Sequence, residues 1–164
     1  MIRPITETEI ETVFQIINDA APVYKTILAD EHWHEPYMSK EELAVQIRDG
    51  VQFYGLHEND MILGVMGFQD RGAVQLIRHA YVRTQAQGRG IGGKLLKYFI
   101  EKSEKPLLVG TWKKAVWAIG FYEKHGFVQA GDEESARLLK LYWNIPAWHA
   151  ATSLVLKRPL SHLR

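Results

Sequence analysis

The chain has 164 residues, 46% of them hydrophobic, which suits one compact domain with its own core and excludes a disordered segment. Its 20 basic residues face 19 acidic ones, and the resulting net charge of +1 is too weak a field for a dedicated nucleic-acid binder. The lack of cysteine excludes disulfide scaffolds, thiol nucleophiles and cysteine metal sites together.

Residues 2–5 read as a short opening strand. Thr6 and Glu9 form a capping box, and Ile10, Val13, Phe14 and Ile17 follow at helical spacing. Residues 22–38 are irregular and rich in aromatics, with Tyr24, Trp33 and Tyr37. Ser39 and Glu42 make a second capping box, opening a helix that Gly50 ends. Three strand-like runs follow, over 51–57, 61–69 and 73–83. The short turns Glu58-Asn59-Asp60 and Asp70-Arg71-Gly72 between them predict an antiparallel meander. A glycine-rich loop leads into a helix carrying Ile91, Leu95, Leu96 and Phe99. Next come a short strand at 106–110, a helix over about 114–125 closed by Gly126, and a strand at 127–130. Asp132 caps a further helix to about 141, and 151–156 reads as the last strand. The pattern predicts an α/β (α+β) layered fold with a mixed sheet in a single domain over 1–164. No apolar run reaches the roughly 18 residues of a membrane span, and the opening Met1-Ile-Arg-Pro-Ile lacks a signal-peptide apolar stretch. A cytoplasmic protein with no membrane partner and no nucleic-acid partner is expected.

The stretch Gln85-Ala-Gln-Gly-Arg-Gly-Ile-Gly-Gly-Lys94 sits between a strand and a helix. Glycines at 88, 90, 92 and 93 bare the backbone N–H groups where they can converge on an anion, and the helix N-terminus adds about half a positive charge. A phosphate or pyrophosphate is the natural guest. Gly88-x-Gly90-x-x-Gly93 matches a dinucleotide fingerprint, but the next strand ends in Val109-Gly-Thr-Trp112 with no ribose-binding acid. Gly88-x-x-x-x-Gly93-Lys94 matches most of a P-loop, but Leu95 stands where Ser or Thr would hold magnesium. Gln85-x-x-Gly88-x-Gly90 is the third match. With Phe121-Tyr-Glu-Lys-His-Gly-Phe127 downstream, it resembles the GNAT superfamily of acyl-CoA N-acyltransferases. The resemblance covers residues 2–155 in topology and 80–127 in motif. One departure is Ala115, where members often carry an asparagine near the pantetheine.

The resemblance implies a mixed, mostly antiparallel sheet with helices on both faces and a V-shaped opening between two central parallel strands. Acetyl-CoA would enter as co-substrate, with no metal. Its pantetheine would pair with the backbone of Tyr81 and Val82. Its pyrophosphate would sit on the loop of Gln87, Gly88, Arg89, Gly90, Ile91, Gly92 and Gly93, with Arg83, Arg89 and Lys94 as cations and Trp117 near the cofactor. The acceptor's amine would attack directly, through a tetrahedral intermediate whose oxyanion faces a backbone N–H near Val82. Tyr122 matches the family's general acid, and a phenol pKa near 10 suits a thiol of similar basicity. His79, three residues before Val82, stands where some relatives place a base.

Two aromatic segments are candidate acceptor walls, 30–38 and 141–146. Trp33, Tyr37 and Trp143 either line an apolar box, with Glu35 attracting a cationic amine, or fix long loops to the core. His32 and His34 lack a third metal ligand at evident spacing. The leading expectation is an N-acetyltransferase acting on the primary amine of a small molecule, with a homodimer possible. The alternatives are a non-catalytic acyl-CoA sensor and a nucleotide-binding enzyme using the same loop.

Overall fold

A computed structural model describes residues 1–160. Among these residues, seven strands lie in the order β1-β2-β3-β4-β5-β7-β6. They are β1 (Ile2–Pro4), β2 (Gln52–Glu58), β3 (Met61–Asp70), β4 (Gln75–Val82), β5 (Leu107–Trp112), β6 (Val128–Gln129) and β7 (Ser153–Arg158). The helices are α1 (Ile10–Ala20), α2 (Lys40–Arg48), α3 (Ile91–Lys102), α4 (Val116–Lys124), α5 (Asp132–Tyr142) and α6 (Ala147–Ala151). β4 and β5 pair in parallel, whereas β1–β2, β2–β3, β5–β7 and β6–β7 are antiparallel. This is the mixed sheet that the element order predicts, and it is mostly antiparallel, as the resemblance implies.

The chain divides into two compact units. The first is Met1–Gln69 with Arg78–Glu101, and the second is Asp70–Ile77 with the chain from Lys102 onward. In the first unit, alternate residues of β2 serve opposite faces of the sheet. Phe53 joins Val13, Ile16 and Ile17 of α1 and Leu43 of α2, all buried. Its neighbour Tyr54 meets Phe99 of α3 edge-on at 5.1 Å, and Phe68 stacks flat on that ring at 4.7 Å. Period-two alternation therefore covers the sheet with α1 and α2 on one side and α3 on the other. Full burial of a side chain such as Phe99 contributes about 1.5–3 kcal/mol. In the second unit, Leu76, Leu108 and Val155 of the sheet pack with Leu138 and Leu139 of α5.

Both capping boxes form. Thr6 and Glu9 close a 3₁₀ turn, Glu7–Glu9, that feeds α1, and Ser39 and Glu42 open α2. Asn59 and Asp60 both take positive φ, 51° and 62°, which gives the β2–β3 hairpin its tight turn. The structure differs from the sequence reading at three places. Asp132 is the first residue inside α5 rather than its cap, a place Gly131 takes with extended φ and ψ. The acids Asp132, Glu133 and Glu134 instead favour the helix dipole. α6, with Pro146 before its first turn, takes in Ala151, where the last strand was expected to open, so β7 begins at Ser153. Residues 22–38 hold two short 3₁₀ segments, Ala21–Thr26 and Asp30–His32.

Candidate functional site

β4 carries the site toward the glycine loop. Its ladder with β5 pairs Gln75–Ile77 with Leu107–Val109. Two residues further on, His79 has a φ of 56°. A non-glycine residue there costs on the order of 1–3 kcal/mol and needs surroundings that enforce it. Arg78 donates to Gln69 Oε1 at 3.2 Å, and Gln69 Nε2 donates to the Asp49 carbonyl at 2.9 Å, tying β4 to the chain after α2. His79 Nε2 lies 3.2 Å from Gln46 Oε1 on α2, and its ring packs against Phe53 at 6.0 Å.

Past the kink, Arg83 closes β4 onto β3. Its backbone N–H donates to Leu63 O at 2.9 Å and its Nε to Ile62 O at 2.6 Å. That guanidinium is thus partly committed to the backbone. A 3₁₀ turn, Thr84–Ala86, then buries Ala86. Gln87 Nε2 reaches back to Val82 O at 3.4 Å. Gly88 and Gly90 adopt φ of 84° and 75°, which L side chains rarely reach. No described residue lies within 4 Å of a Cβ built on either, so the loop is open to a guest.

α3 begins at once. Lys94 N–H bonds to Gly90 O at 3.0 Å, so the N–H groups of Ile91, Gly92 and Gly93 precede the helix's own ladder. Gly92 and Gly93 leave that first turn bare, whereas Ile91 is buried and anchors it. A Cβ on Gly64 of β3 would come within 2.9 Å of Ile91 Cγ2 and 3.3 Å of Tyr81 O, so this glycine sets how closely the loop seats on the sheet. Arg89 Nη2 donates to both carboxylate oxygens of Glu58, at 2.8 and 2.9 Å. That bond, and then the charge of Arg89, hold the Glu58 carboxyl below the usual range. Lys94 is exposed on α3 and also attracts Glu58.

An aromatic chain ends at the same strand. Trp33 stacks on Tyr37 at 5.7 Å, Tyr37 meets Tyr24 at 5.7 Å, and Tyr24 meets Tyr81 edge-on at 6.3 Å. Burial pushes the Tyr24 phenol up, and a hydrogen bond with the Tyr81 side chain opposes this. The carboxylate of Glu35 accepts from Trp33 Nε1 at 3.1 Å. The first unit therefore brings together Trp33, Glu35 and Tyr37 with Tyr81, and Tyr81 with the glycine loop.

The remaining predicted residues lie in the second unit. Tyr122 of α4 is buried, its ring edge-on to Phe121 at 5.1 Å and Phe127 at 5.5 Å. Ala115 precedes α4 and is fully buried, whereas Trp117 is 44% exposed. Trp143 packs over Gly110 of β5, its Cζ2 3.4 Å from a Cβ built there. Trp112 lies against His149 at 4.2 Å and Trp148 at 6.0 Å in near-parallel stacks.

His34 Nδ1 contacts Pro36 O at 3.0 Å, and His32 Nε2 lies 3.8 Å from Glu31. No group of three metal-ligating side chains occurs among the described residues. No helix among them is long and apolar enough to cross a membrane. Sequence reasoning misses Tyr24 as a site neighbour, Gln46 on His79, Glu58 on Arg89, and Asp19, whose carboxylate accepts from the Thr84 backbone N–H at 2.8 Å. Tyr24 carries a readable signal, since it belongs to the aromatic-rich stretch at residues 22–38.

The chain resembles several acetyltransferases of known structure. One is a GNAT family acetyltransferase from Elizabethkingia anophelis with acetyl-CoA bound, 24% identical over 98% of this chain and 97% of that one, with a TM-score of 0.67. A second is the ribosomal-protein-S18-alanine N-acetyltransferase of Escherichia coli, 16% identical over 98% and 94%, with a TM-score of 0.71. A third is the PaiA N-acetyltransferase of Thermoplasma acidophilum in complex with coenzyme A, 17% identical over 97% and 98%, with a TM-score of 0.69. At these identities they establish the fold. A family model described as an acetyltransferase (GNAT) domain matches residues 6–141, most of the chain. The chain belongs to the GNAT family of acetyltransferases.

Proposed function

We propose that this protein transfers the acetyl group of acetyl-CoA to a primary amine, with a small molecule as acceptor. The observation that carries this reading is the loop before α3. Two positive-φ glycines, an open surface and the first-turn N–H groups of Ile91, Gly92 and Gly93 fit a diphosphate. Acetyl-CoA and coenzyme A are bound in two of the similar structures, which supports the same ligand here.

In this reading, Tyr81 and Val82 offer backbone to the pantetheine, and Arg89 and Lys94 supply charge to the diphosphate. Trp117 is exposed on α4, and its part in holding the cofactor is what the family resemblance implies. The acceptor sits against Trp33 and Tyr37, with Glu35 favouring a cationic amine. The amine must lose its proton before it attacks. His79 takes that proton, its ring held with Nε2 3.2 Å from Gln46 Oε1. The neutral amine adds to the thioester carbonyl, forming the C–N bond and a tetrahedral intermediate whose oxyanion accepts from a backbone N–H near Val82. Collapse then breaks the C–S bond, and the surplus proton on nitrogen passes to solvent, which restores the proton that Tyr122 gives up. Tyr122 gives its proton to the departing thiolate.

A screen of primary amines for thiol release from acetyl-CoA tests the proposal. Thiol release well above the acceptor-free rate with at least one amine is expected. Tight acetyl-CoA binding with no release for any amine would make the protein a sensor.

A further inference from the structure

Glu58 ends β2, and its carboxylate lies on Arg89, the only arginine of the glycine loop. One guanidinium nitrogen donates to both carboxylate oxygens, at 2.8 and 2.9 Å. A tight hairpin delivers this acid. Glu58 pairs with Met61 across β2 and β3, around a turn fixed by the positive φ of Asn59 and Asp60. Lys94 and the chain's amino terminus also attract the carboxylate. Glu58 therefore offsets part of the positive charge that the loop offers an anion.

The pair is half exposed, 50% on the arginine and 47% on the glutamate. Such pairs are weak, because water and salt screen them. A diphosphate carries more negative charge than one carboxylate and also meets the N–H groups at the start of α3. It has the means to take Arg89 from Glu58.

We infer that Glu58 competes internally for Arg89 and so tempers the loop's affinity for a diphosphate, without affecting a ligand that lacks one. The inference rests on the acyl-CoA reading of the loop. Acetyl-CoA and product CoA carry the same diphosphate, so Glu58 weakens both alike. It thereby favours product release without altering the chemical step.

The test is calorimetric titration of the wild-type protein, Glu58→Gln, Glu58→Ala, Arg89→Gln and the Glu58→Gln/Arg89→Gln pair with CoA, and with pantetheine, which has no phosphate. Both Glu58 variants should bind CoA about 3–10-fold more tightly at low ionic strength. The gain should shrink in high salt, vanish in the Arg89→Gln background, and be absent for pantetheine. Unchanged or weaker CoA binding by both Glu58 variants overturns the inference. So does an equal gain without Arg89, which would reflect general charge rather than this pair. If the wild-type protein binds CoA and the Glu58 variants match it, this inference alone falls. If the wild-type protein does not bind CoA at all, the acyl-CoA reading falls and takes this inference with it.

Discussion

Asp19 and Thr84 stand 65 residues apart in sequence, yet the aspartate accepts the Thr84 backbone N–H at 2.8 Å and its hydroxyl at 3.3 Å. A carboxylate in the last turn of α1 opposes the helix dipole, so its two bonds to Thr84 supply the compensation. They fix the chain just where it leaves β4 for the glycine loop. Replacing Asp19 with alanine should cost about 1 kcal/mol of stability. It should also raise the KM for acetyl-CoA several-fold, with kcat nearly unchanged. Steady-state kinetics with denaturant unfolding checks both, and an unaltered KM would separate Asp19 from the site.

Gly64 leaves no room for a side chain. A methyl group there would meet Ile91 Cγ2 at 2.9 Å, Tyr81 O at 3.3 Å and Val82 Cγ2 at 3.3 Å. Gly64→Ala should therefore destabilise by about 1–3 kcal/mol, a fall in Tm of roughly 2–12 °C. It should also lift the start of α3 and weaken CoA binding. Gly88→Ala meets no such obstacle but must hold φ near 84°, at a cost of about 1 kcal/mol. A larger loss in Gly88→Ala than in Gly64→Ala would contradict this ranking.

Tyr122 is buried among aromatic rings, where replacement by phenylalanine keeps the packing and removes only the hydroxyl. Tyr122→Phe should lower kcat by about 10²-fold or more, with acetyl-CoA affinity and Tm little changed. Wild-type turnover in this variant would remove Tyr122 from the proposed chemistry.

Glu9 sets a pH dependence that is separate from activity. The hydrogen bond from Arg3, then that from the Thr6 backbone N–H, hold its carboxyl well below the usual range. The group's stabilisation is thus fully present above its unfolded pKa of about 4.3 and drains away as pH falls toward the folded value. Glu9→Gln should lower Tm by about 2–4 °C at pH 7. The gap should narrow steadily below about pH 4. Melting curves from pH 7 to pH 3 test this, and a gap that widens on acidification would reverse the assignment.

Much of this was legible in the sequence because the signals are local. Thr6 with Glu9, Ser39 with Glu42, and the turn at Asn59-Asp60 each specify their own few residues, and all three form. The glycine loop was legible for the same reason, since strand, bare backbone and helix start follow one another within ten residues. What could not be read depends on long-range contact. Asp19 on Thr84, Glu58 on Arg89 and Gln46 on His79 join segments with no shared pattern. The left-handed turn at His79 is equally silent, because a histidine in a strand gives no sign of positive φ. Trp33, Tyr37 and Trp143 were grouped by residue type alone. The first two do stack together, while Trp143 packs over Gly110.

The account stands most directly on a thermal-shift titration with CoA, set beside ATP and NAD. CoA at 100 times its Kd should stabilise the protein by about 2.7 kcal/mol, a rise in Tm of roughly 5–11 °C. ATP and NAD at the same concentration should produce no comparable rise. An unchanged Tm with CoA, together with a clear shift from either nucleotide, would contradict the assignment of the loop.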